Sequence, residues 1–324
     1  MKHVLVCGGA GYIGAHMAKC LAESGHRVTV LDNLSTGHRE AVRWGELLEG
    51  DLLDLETVRR VFSSRAYDVV MHFCALSLVG DSVRNPLGYY RNNVGGTLNL
   101  LQAMQEVEVR NLVFSSSAAV YGMPEQSPID ETQPVVPINP YGASKAMVER
   151  VLEDAAVAYG LRSVSLRYFN AAGADPAGEI GESHHPETHL IPNLLGAALE
   201  GSAVNIFGTD YDTRDGTCVR DYVHVNDLAQ AHLQAQEYLE NHPGAHRFNL
   251  GSDRGYSVLE VVDAARRVTN RRIQCNTGPR RAGDPPTLVA SSLAARQALG
   301  WKPALDTIES IVETAWRWHQ APCY

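Results

Sequence analysis

The chain has 324 residues, is 44% hydrophobic and carries a formal net charge of -9, which suits one large α/β unit or two interleaved domains. The acidic balance argues against a nucleic-acid or anionic-membrane partner. Six cysteines, at positions 7, 20, 74, 218, 275 and 323, form no C-x-x-C pair, and no leader-like or membrane-length apolar run stands out, so reduced thiols and a cytoplasmic location are expected.

In chain order, short runs rich in Val, Leu and Ile predict buried parallel strands at 4–7, 28–31, 69–73, 112–114 and 164–166. Apolar residues at helical spacing predict helices over 13–24, 55–62, 95–105 and 141–159. This β-α-β alternation predicts a Rossmann-like, doubly wound parallel α/β sheet. Beyond about residue 170 the sequence becomes rich in Gly, Pro and His over 174–192, then turns to shorter mixed elements, which predicts a smaller C-terminal α/β lobe. A helix over 226–239 and a strand over 248–250 suggest that the chain returns to the first domain. The expected division is 1–169 plus about 226–250 for the first domain, and about 170–225 plus 251–324 for a substrate-binding domain.

Gly8, Gly11 and Gly14 lie between the first strand and the first helix, in Gly8-Gly9-Ala10-Gly11-Tyr12-Ile13-Gly14. Glycines there let the backbone approach a pyrophosphate and aim a helix N-terminus at its charge. Tight turns and close packing use glycines too, so position in the chain carries the argument. Asp32 ends the second strand eighteen residues after Gly14, where a carboxylate can accept hydrogen bonds from an adenosine ribose. A 2'-phosphate would meet that negative charge, which favours NAD over NADP, although Arg39 nearby works the other way. Asp51 and Leu52 follow the third strand, either as an adenine contact or as a solvated turn.

Ser115-Ser116-Ser117 ends the fifth strand, at the carboxyl edge where side chains face a ligand crevice. Tyr141 and Lys145 follow, four residues apart, and a helix would stack them on one face. An unperturbed tyrosine is ionised only about one part in a thousand at pH 7, so a base made from it needs a positive neighbour, here Lys145. Alone, the spacing describes any amphipathic surface pair. With Ser117 and the glycine motif it predicts a redox triad of Ser117, Tyr141 and Lys145.

The combination resembles the extended short-chain dehydrogenase/reductase family, and within it the UDP-hexose 4-epimerases. The resemblance runs from Val4 to the region of Trp301 and includes Asp32-Asn33-Leu34, Asn92-Asn93-Val94, residues 115–122, Tyr141-Gly-x-Ser-Lys145, Leu166-Arg-Tyr-Phe-Asn170, Gly216-Thr-x-Val-Arg-Asp-Tyr222 and Arg280-Arg-x-Gly-Asp284. It implies interconversion of UDP-glucose and UDP-galactose through a 4-keto intermediate, in a homodimer with tightly bound NAD. It further implies that Tyr12, Ile13, Asp32, Asn33, Asp51, Leu52, Phe73, Asn92, Ser117, Tyr141, Lys145 and Phe169 surround NAD. Ser117, Tyr141, Asn170, His189, Leu190, Asn205, Phe207, Arg220, Arg281, Asp284 and Leu288 would surround the UDP-sugar. Guanidinium forks suit a diphosphate and a carboxylate suits ribose hydroxyls.

Two departures bear on this reading. After His72-Phe73-Cys74-Ala75 the chain has Leu76-Ser77-Leu78, without the lysine or other polar residue found in many relatives, so Ser77 or Asn92 would have to replace a contact near the nicotinamide ribose. Leu288 stands where some relatives carry tyrosine at the hexose pocket, which would leave room for N-acetylated sugars.

A UDP-uronate or pentose-directed 4-epimerase remains an alternative. A nucleotide-sugar 4,6-dehydratase fits less well, since Ala118 and Ala119 occupy the places of that family's acid and base. A non-catalytic NAD-binding regulator would usually lack the base that Tyr141 supplies. Residues 182–189 crowd imidazoles and carboxylates together, but Pro186 interrupts any helix that would align His185 with His189. A polar substrate-covering loop and no metal are expected there.

Overall fold

The computed structural model describes residues 1–281 and 284–324. Seven strands form one parallel sheet: β1 (His3–Cys7), β2 (Arg27–Asp32), β3 (Glu46–Glu49), β4 (Val69–His72), β5 (Asn111–Ser115), β6 (Arg162–Arg167) and β7 (Ala245–Asn249). Their order is β7-β6-β5-β4-β1-β2-β3, with Cys7 beside both Leu31 and His72 and with Ser115 beside Leu166. The order reverses between β1 and β4, and such a switch point opens a crevice beyond the carboxyl ends of the strands.

Alternation along the strands builds two cores. Val4 and Val6 of β1 face one side, with Val30, Met71, Val113 and Leu166, and pack against α1 (Tyr12–Glu23) and α6 (Val225–Tyr238) through Met17, Leu21 and Leu228. Leu5 and Cys7 face the other side with Leu31, Val70 and Phe114. Covering that side are α2 (Leu55–Ser64), α3 (Gly96–Glu106) and α4 (Pro140–Tyr159), through Val58, Leu100, Met104, Val148 and Leu152. Each such aliphatic side chain contributes about 1.5–3 kcal/mol by leaving water, so the doubly covered sheet is the rigid frame of the molecule.

The β3 strand is the weak member, with partly exposed Leu47 and Leu48 between exposed glutamates. Its lack of a buried apolar run explains why it stands out so little in the sequence. The return of the chain through α6 and β7 joins this sheet, where β7 runs parallel to β6 and α6 lies against α1.

The remaining elements form a smaller body around α5 (Leu190–Glu200), α7 (Val258–Thr269) and α8 (Ile308–Gln320), whose apolar faces share Leu194, Leu195, Val261, Val262, Ile311 and Val312. Its strands are short pairs: Ala203–Phe207 with Gln274–Gly278, Asn170–Ala172 with Tyr222–His224, and Val219–Arg220 between Tyr256–Ser257 and Thr287–Leu288.

Candidate active site

At the end of β1 the chain turns at Gly8, whose φ of +82° suits glycine, and a Cβ there would lie 2.8 Å from the Cys74 nitrogen. Gly14 is held tighter, since a Cβ would come within 2.1 Å of the Gly8 carbonyl oxygen. Helix α1 therefore seats directly on the turn. Its N-cap, Gly11, supplies no side-chain cap, and a Cβ at Gly11 would meet only the Gly8 oxygen, at 3.4 Å. An open cradle at an uncapped helix N-terminus fits the pyrophosphate of a dinucleotide.

Asp32 closes the same turn. Its Oδ2 accepts from the Ala10 N–H at 2.9 Å and its Oδ1 from the Leu34 N–H at 2.9 Å, so the carboxylate is fixed at the carboxyl end of β2. Asn33 Nδ2 donates to Asp51 Oδ2 at 2.9 Å, which brings the ends of β2 and β3 together, while Leu52 is buried in the core beside them. Arg39 pairs with Glu49 on the surface, so its charge is already matched at this edge.

Across the switch point, the Phe73 N–H donates to the Cys7 carbonyl at 2.8 Å, and its ring lies 4.8 Å from that of His232. The Leu76 backbone that follows is held by Asn93, not by Asn92: Asn93 Oδ1 accepts from the Leu76 N–H at 2.9 Å and its Nδ2 donates to the Leu76 carbonyl and to Ser144 Oγ, both at 3.0 Å. Asn92 in turn donates to Asn93 Oδ1 at 3.0 Å. Both lie in a π-helical stretch, Tyr90–Gly95, leading into α3. Such wide turns are frequent at functional sites. Ser77 is exposed.

Helix α4 starts where Asn139 Oδ1 caps the Gly142 N–H at 2.8 Å, with Pro140 at the first helical position. Tyr141 and Lys145 then fall on the face turned to the ends of β5 and β6. Lys145 is buried, and its Nζ donates to the Ser115 carbonyl at 2.7 Å while lying 5.9 Å from the centre of the Tyr141 ring. Burial pushes the Lys145 ammonium down to about 8, against the opposing pull of Cys74 and Glu149. Burial raises the Tyr141 phenol, and the nearby Ser117 hydroxyl offsets part of that rise. Ionising the phenol therefore has to overcome this burial as well as draw on the Lys145 charge. Further positive charge is needed at the ring, and a nicotinamide cation is of the right sign. Ser117 is buried, accepts from the Ala119 N–H at 3.1 Å, and begins the turn Ala118–Tyr121.

A buried ionic network lies behind this triad and was not singled out in the sequence. Glu149, one turn beyond Lys145, accepts from Ser116 Oγ at 2.5 Å and from Arg167 Nε at 2.9 Å, with a second Arg167 contact through Nη2. Arg167 Nη1 donates to the Tyr121 hydroxyl at 2.8 Å, which donates onward to Asn249 Oδ1 at 2.7 Å. The network crosslinks α4, β6, the Ser117 turn and β7.

The second lobe meets the turn that follows Ser117, where Phe169 and Leu288 both pack against the cluster of Ala118, Val120 and Tyr121. Asn170 Nδ2 donates to the Asp221 carbonyl at 2.8 Å, and Asp221 itself is buried, accepting from the Ser252 and Ala290 N–H groups at 2.8 and 2.9 Å. Burial raises the Asp221 carboxyl to about 6. Arg220 Nη2 donates to Asp284 Oδ1 at 2.5 Å, so these two predicted ligand contacts neighbour one another, and Leu288 pairs with Arg220 across the adjoining strands. Arg281 stacks on the Phe207 ring at 4.3 Å. Asn205 lies on the same strand as Phe207, and His189 caps α5, with Leu190 as its first residue. The aromatic ring of Tyr12 links the lobes, its hydroxyl donating to the Gly173 carbonyl at 2.6 Å.

A doubly wound parallel sheet with a glycine cradle at β1, a fixed carboxylate at β2 and, beyond β5, a half-buried Tyr141 beside buried Ser117 and Lys145 defines a dinucleotide-dependent redox enzyme. Comparison with known proteins agrees: residues 4–251 match the NAD dependent epimerase/dehydratase family. The chain is 53% identical to the UDP-glucose 4-epimerase of Lacticaseibacillus casei, over 98% of this chain and 96% of that one. It is similar to the crystal structure of UDP-glucose 4-epimerase from Brucella ovis in complex with NAD, with a TM-score of 0.95 and 49% identity, covering 98% of both chains. It is also similar to that from Bifidobacterium longum in complex with NAD+ and UDP, with a TM-score of 0.94 and 38% identity over 99% of this chain and 98% of that one. The chain belongs to the NAD dependent epimerase/dehydratase family.

Proposed function

We propose that this enzyme interconverts UDP-glucose and UDP-galactose by reversible oxidation at C4 of the hexose through a 4-keto intermediate. The observation that carries the reading is Tyr141, beside Ser117 and buried Lys145 at the crevice of an NAD-binding sheet, in a chain so similar to UDP-glucose 4-epimerases over its full length.

Residues 1–169 with about 226–250 form the cofactor domain. Gly8, Gly11, Gly14, Tyr12 and Ile13 hold the pyrophosphate, Asp32 and Asn33 the adenosine ribose, and Asp51 and Leu52 the adenine. Phe73, Asn92 and Phe169 line the nicotinamide side. When bound, NAD supplies a reversible two-electron oxidant for C4. Tyr141 takes the proton of the 4-hydroxyl and returns it, Lys145 holds the charge balance beneath it, and Ser117 hydrogen-bonds the reacting oxygen.

Residues about 170–225 with 251–324 hold the nucleotide sugar, through Asn170, His189, Leu190, Asn205, Phe207, Arg220, Arg281 and Asp284. Stacking on Phe207 presents the Arg281 guanidinium as a flat fork for a diphosphate. The hexose is gripped loosely, because uniform tight binding of the sugar would stop it from turning its other face. Leu288 is smaller than the tyrosine of some relatives, and we infer that UDP-N-acetylhexosamines are substrates too.

A homodimer is supported by exposed apolar side chains on neighbouring segments, Val83, Leu87, Leu98 and Met147. Cytoplasmic residence is supported by six unpaired cysteines. No helix among the described residues is long and apolar enough to cross a membrane.

The test is to add UDP-galactose, UDP-N-acetylgalactosamine and UDP-galacturonate separately to purified protein without added NAD. UDP-glucose forms from the first and UDP-N-acetylglucosamine from the second, with reduced-cofactor fluorescence during turnover. No product from UDP-galactose ends the proposal, and no product from the acetylated sugar ends the inference drawn from Leu288.

A further inference from the structure

A second cluster of chemical groups sits outside the Tyr141 triad, in the segment leading into α5. Glu182, His184, Glu187 and His189 each direct one ligand-type atom into a common space, all within 4.8 Å of one another. His184 Nδ1 is 3.2 Å from Glu182 Oε1 and 3.7 Å from Glu187 Oε2. His189 Nδ1 is 2.5 Å from Glu182 Oε1 and 3.6 Å from Glu187 Oε1. Bonds of about 2.0–2.1 Å in a tetrahedral zinc site place ligand atoms roughly 3.3–3.4 Å apart. Three of these four imidazole–carboxylate separations are within a few tenths of an ångström of that value, with Glu187 turning a different oxygen to each imidazole, and the shortest is a hydrogen bond that an ion would replace.

Two further features favour an ion over an ordinary polar cluster. Among the described residues, His184 Nδ1 is shut off from solvent and has no aligned hydrogen-bond partner, although two carboxylates lie beside it. Once an ion displaces their protons, two imidazoles and two carboxylates balance a divalent charge, and imidazole nitrogen selects zinc-like metals over magnesium or calcium, which require oxygen.

The surrounding contacts hold the segment in place. Trp318 Nε1 donates to the Glu182 carbonyl at 2.9 Å, His38 Nε2 lies 3.1 Å from the Ser183 carbonyl oxygen, and the Tyr12 ring meets that of His184 edge-on at 6.4 Å.

We propose that Glu182, His184, Glu187 and His189 form a binding site for a divalent transition-metal ion of the zinc class, pinning this segment between the dinucleotide turn and α8. Four protein ligands close the coordination shell, so the ion is structural and takes no part in chemistry at C4. His189 binds it through Nδ1 and keeps Nε2 for the nucleotide sugar. The sequence pointed away from a metal because Pro186 forbids a helical His185–His189 pair. The folded segment uses His184 instead and leaves His185 exposed.

The test takes the full-length protein with its cofactor, strips divalent ions with a chelator, and titrates Zn2+ by calorimetry, with Mg2+ as the control ion. Wild type binds one Zn2+ per chain, retains it through desalting and melts at a higher temperature, while Mg2+ does neither. Loss of a direct ligand in Glu182→Gln or His184→Ala weakens binding by more than the about 10- to 100-fold typical of losing an outer-shell partner. His185→Ala binds as wild type does. Should either variant at the buried side fail to fold, Glu187→Gln carries the same expectation. Co2+ loaded in place of Zn2+ gives the visible bands of a four-coordinate ion, which these variants lack. Absence of stoichiometric Zn2+ in wild type, or equal affinity in wild type and a folded ligand variant, overturns the proposal.

Discussion

Glu149→Leu is the most informative single perturbation of the frame behind the triad. It leaves Arg167, a fully buried guanidinium, without the carboxylate that meets it at Nε and Nη2. An unpaired buried charge of this kind costs about 3–5 kcal/mol, and Ser116 Oγ loses its acceptor as well. Burial opposes the Arg167 charge while the Glu149 hydrogen bonds sustain it, which is why removing one partner is worse than removing both. The assay is urea denaturation of wild type, Glu149→Leu, Arg167→Met and the double variant. Each single change should cost about 3–5 kcal/mol, and the double should cost no more than the costlier single change, that is at least about 3 kcal/mol less than their sum. Additive costs, or a single change below about 1 kcal/mol, would refute the idea that this pair is a coupled buried unit.

Other expectations follow from the site. Tyr141→Phe removes most epimerisation while UDP affinity, read by calorimetry, stays near wild type, and Lys145→Ala does the same. Ser117→Ala lowers kcat by about 10², the scale of one lost active-site hydrogen bond; an unchanged rate would remove Ser117 from the triad. Asp32→Ala removes the charge that repels a 2'-phosphate and narrows the preference for NAD over NADP, measured by cofactor exchange.

Burial depresses His72 to about 3, His224 to about 3 and His232 to about 4. The unfolded chain therefore takes up protons below about 6.5 that the folded chain refuses. Stability falls as pH drops from about 6.5 towards 4, by up to about 1.4 kcal/mol per pH unit for each histidine. Flat stability over that window, followed by denaturation, would contradict it.

Much of the site is legible because its requirements are local. Gly8 and Gly14 answer to a positive φ and to a helix seated on a turn, and Tyr141 and Lys145 are brought together by one turn of α4 under its Asn139 cap. What escaped notice depends on contacts distant in sequence. Asn93 differs from Asn92 only in facing Leu76 and Ser144, and Glu149 acquires meaning only when β6 brings Arg167 beside it. The small lobe is hard to read for another reason: pairs such as Val219–Arg220 and Thr287–Leu288 are too short to display a period. The effect of burial on Lys145 and Tyr141 is equally invisible in a spacing of four. Asn93, Arg167 and Asp221 lie within family-like motifs, but only the folded contacts give them roles.

The central claim is that one site removes the C4 hydrogen of a UDP-hexose and restores it to the same carbon, with Tyr141 exchanging the hydroxyl proton. The most direct measurement is incubation of the purified protein, without added NAD, with UDP-glucose carrying deuterium at C4, followed by mass and NMR analysis of the product. UDP-galactose retaining deuterium at C4 is the predicted result. Product in which the label has exchanged with water, or no product from an enzyme with its cofactor bound, would contradict the account.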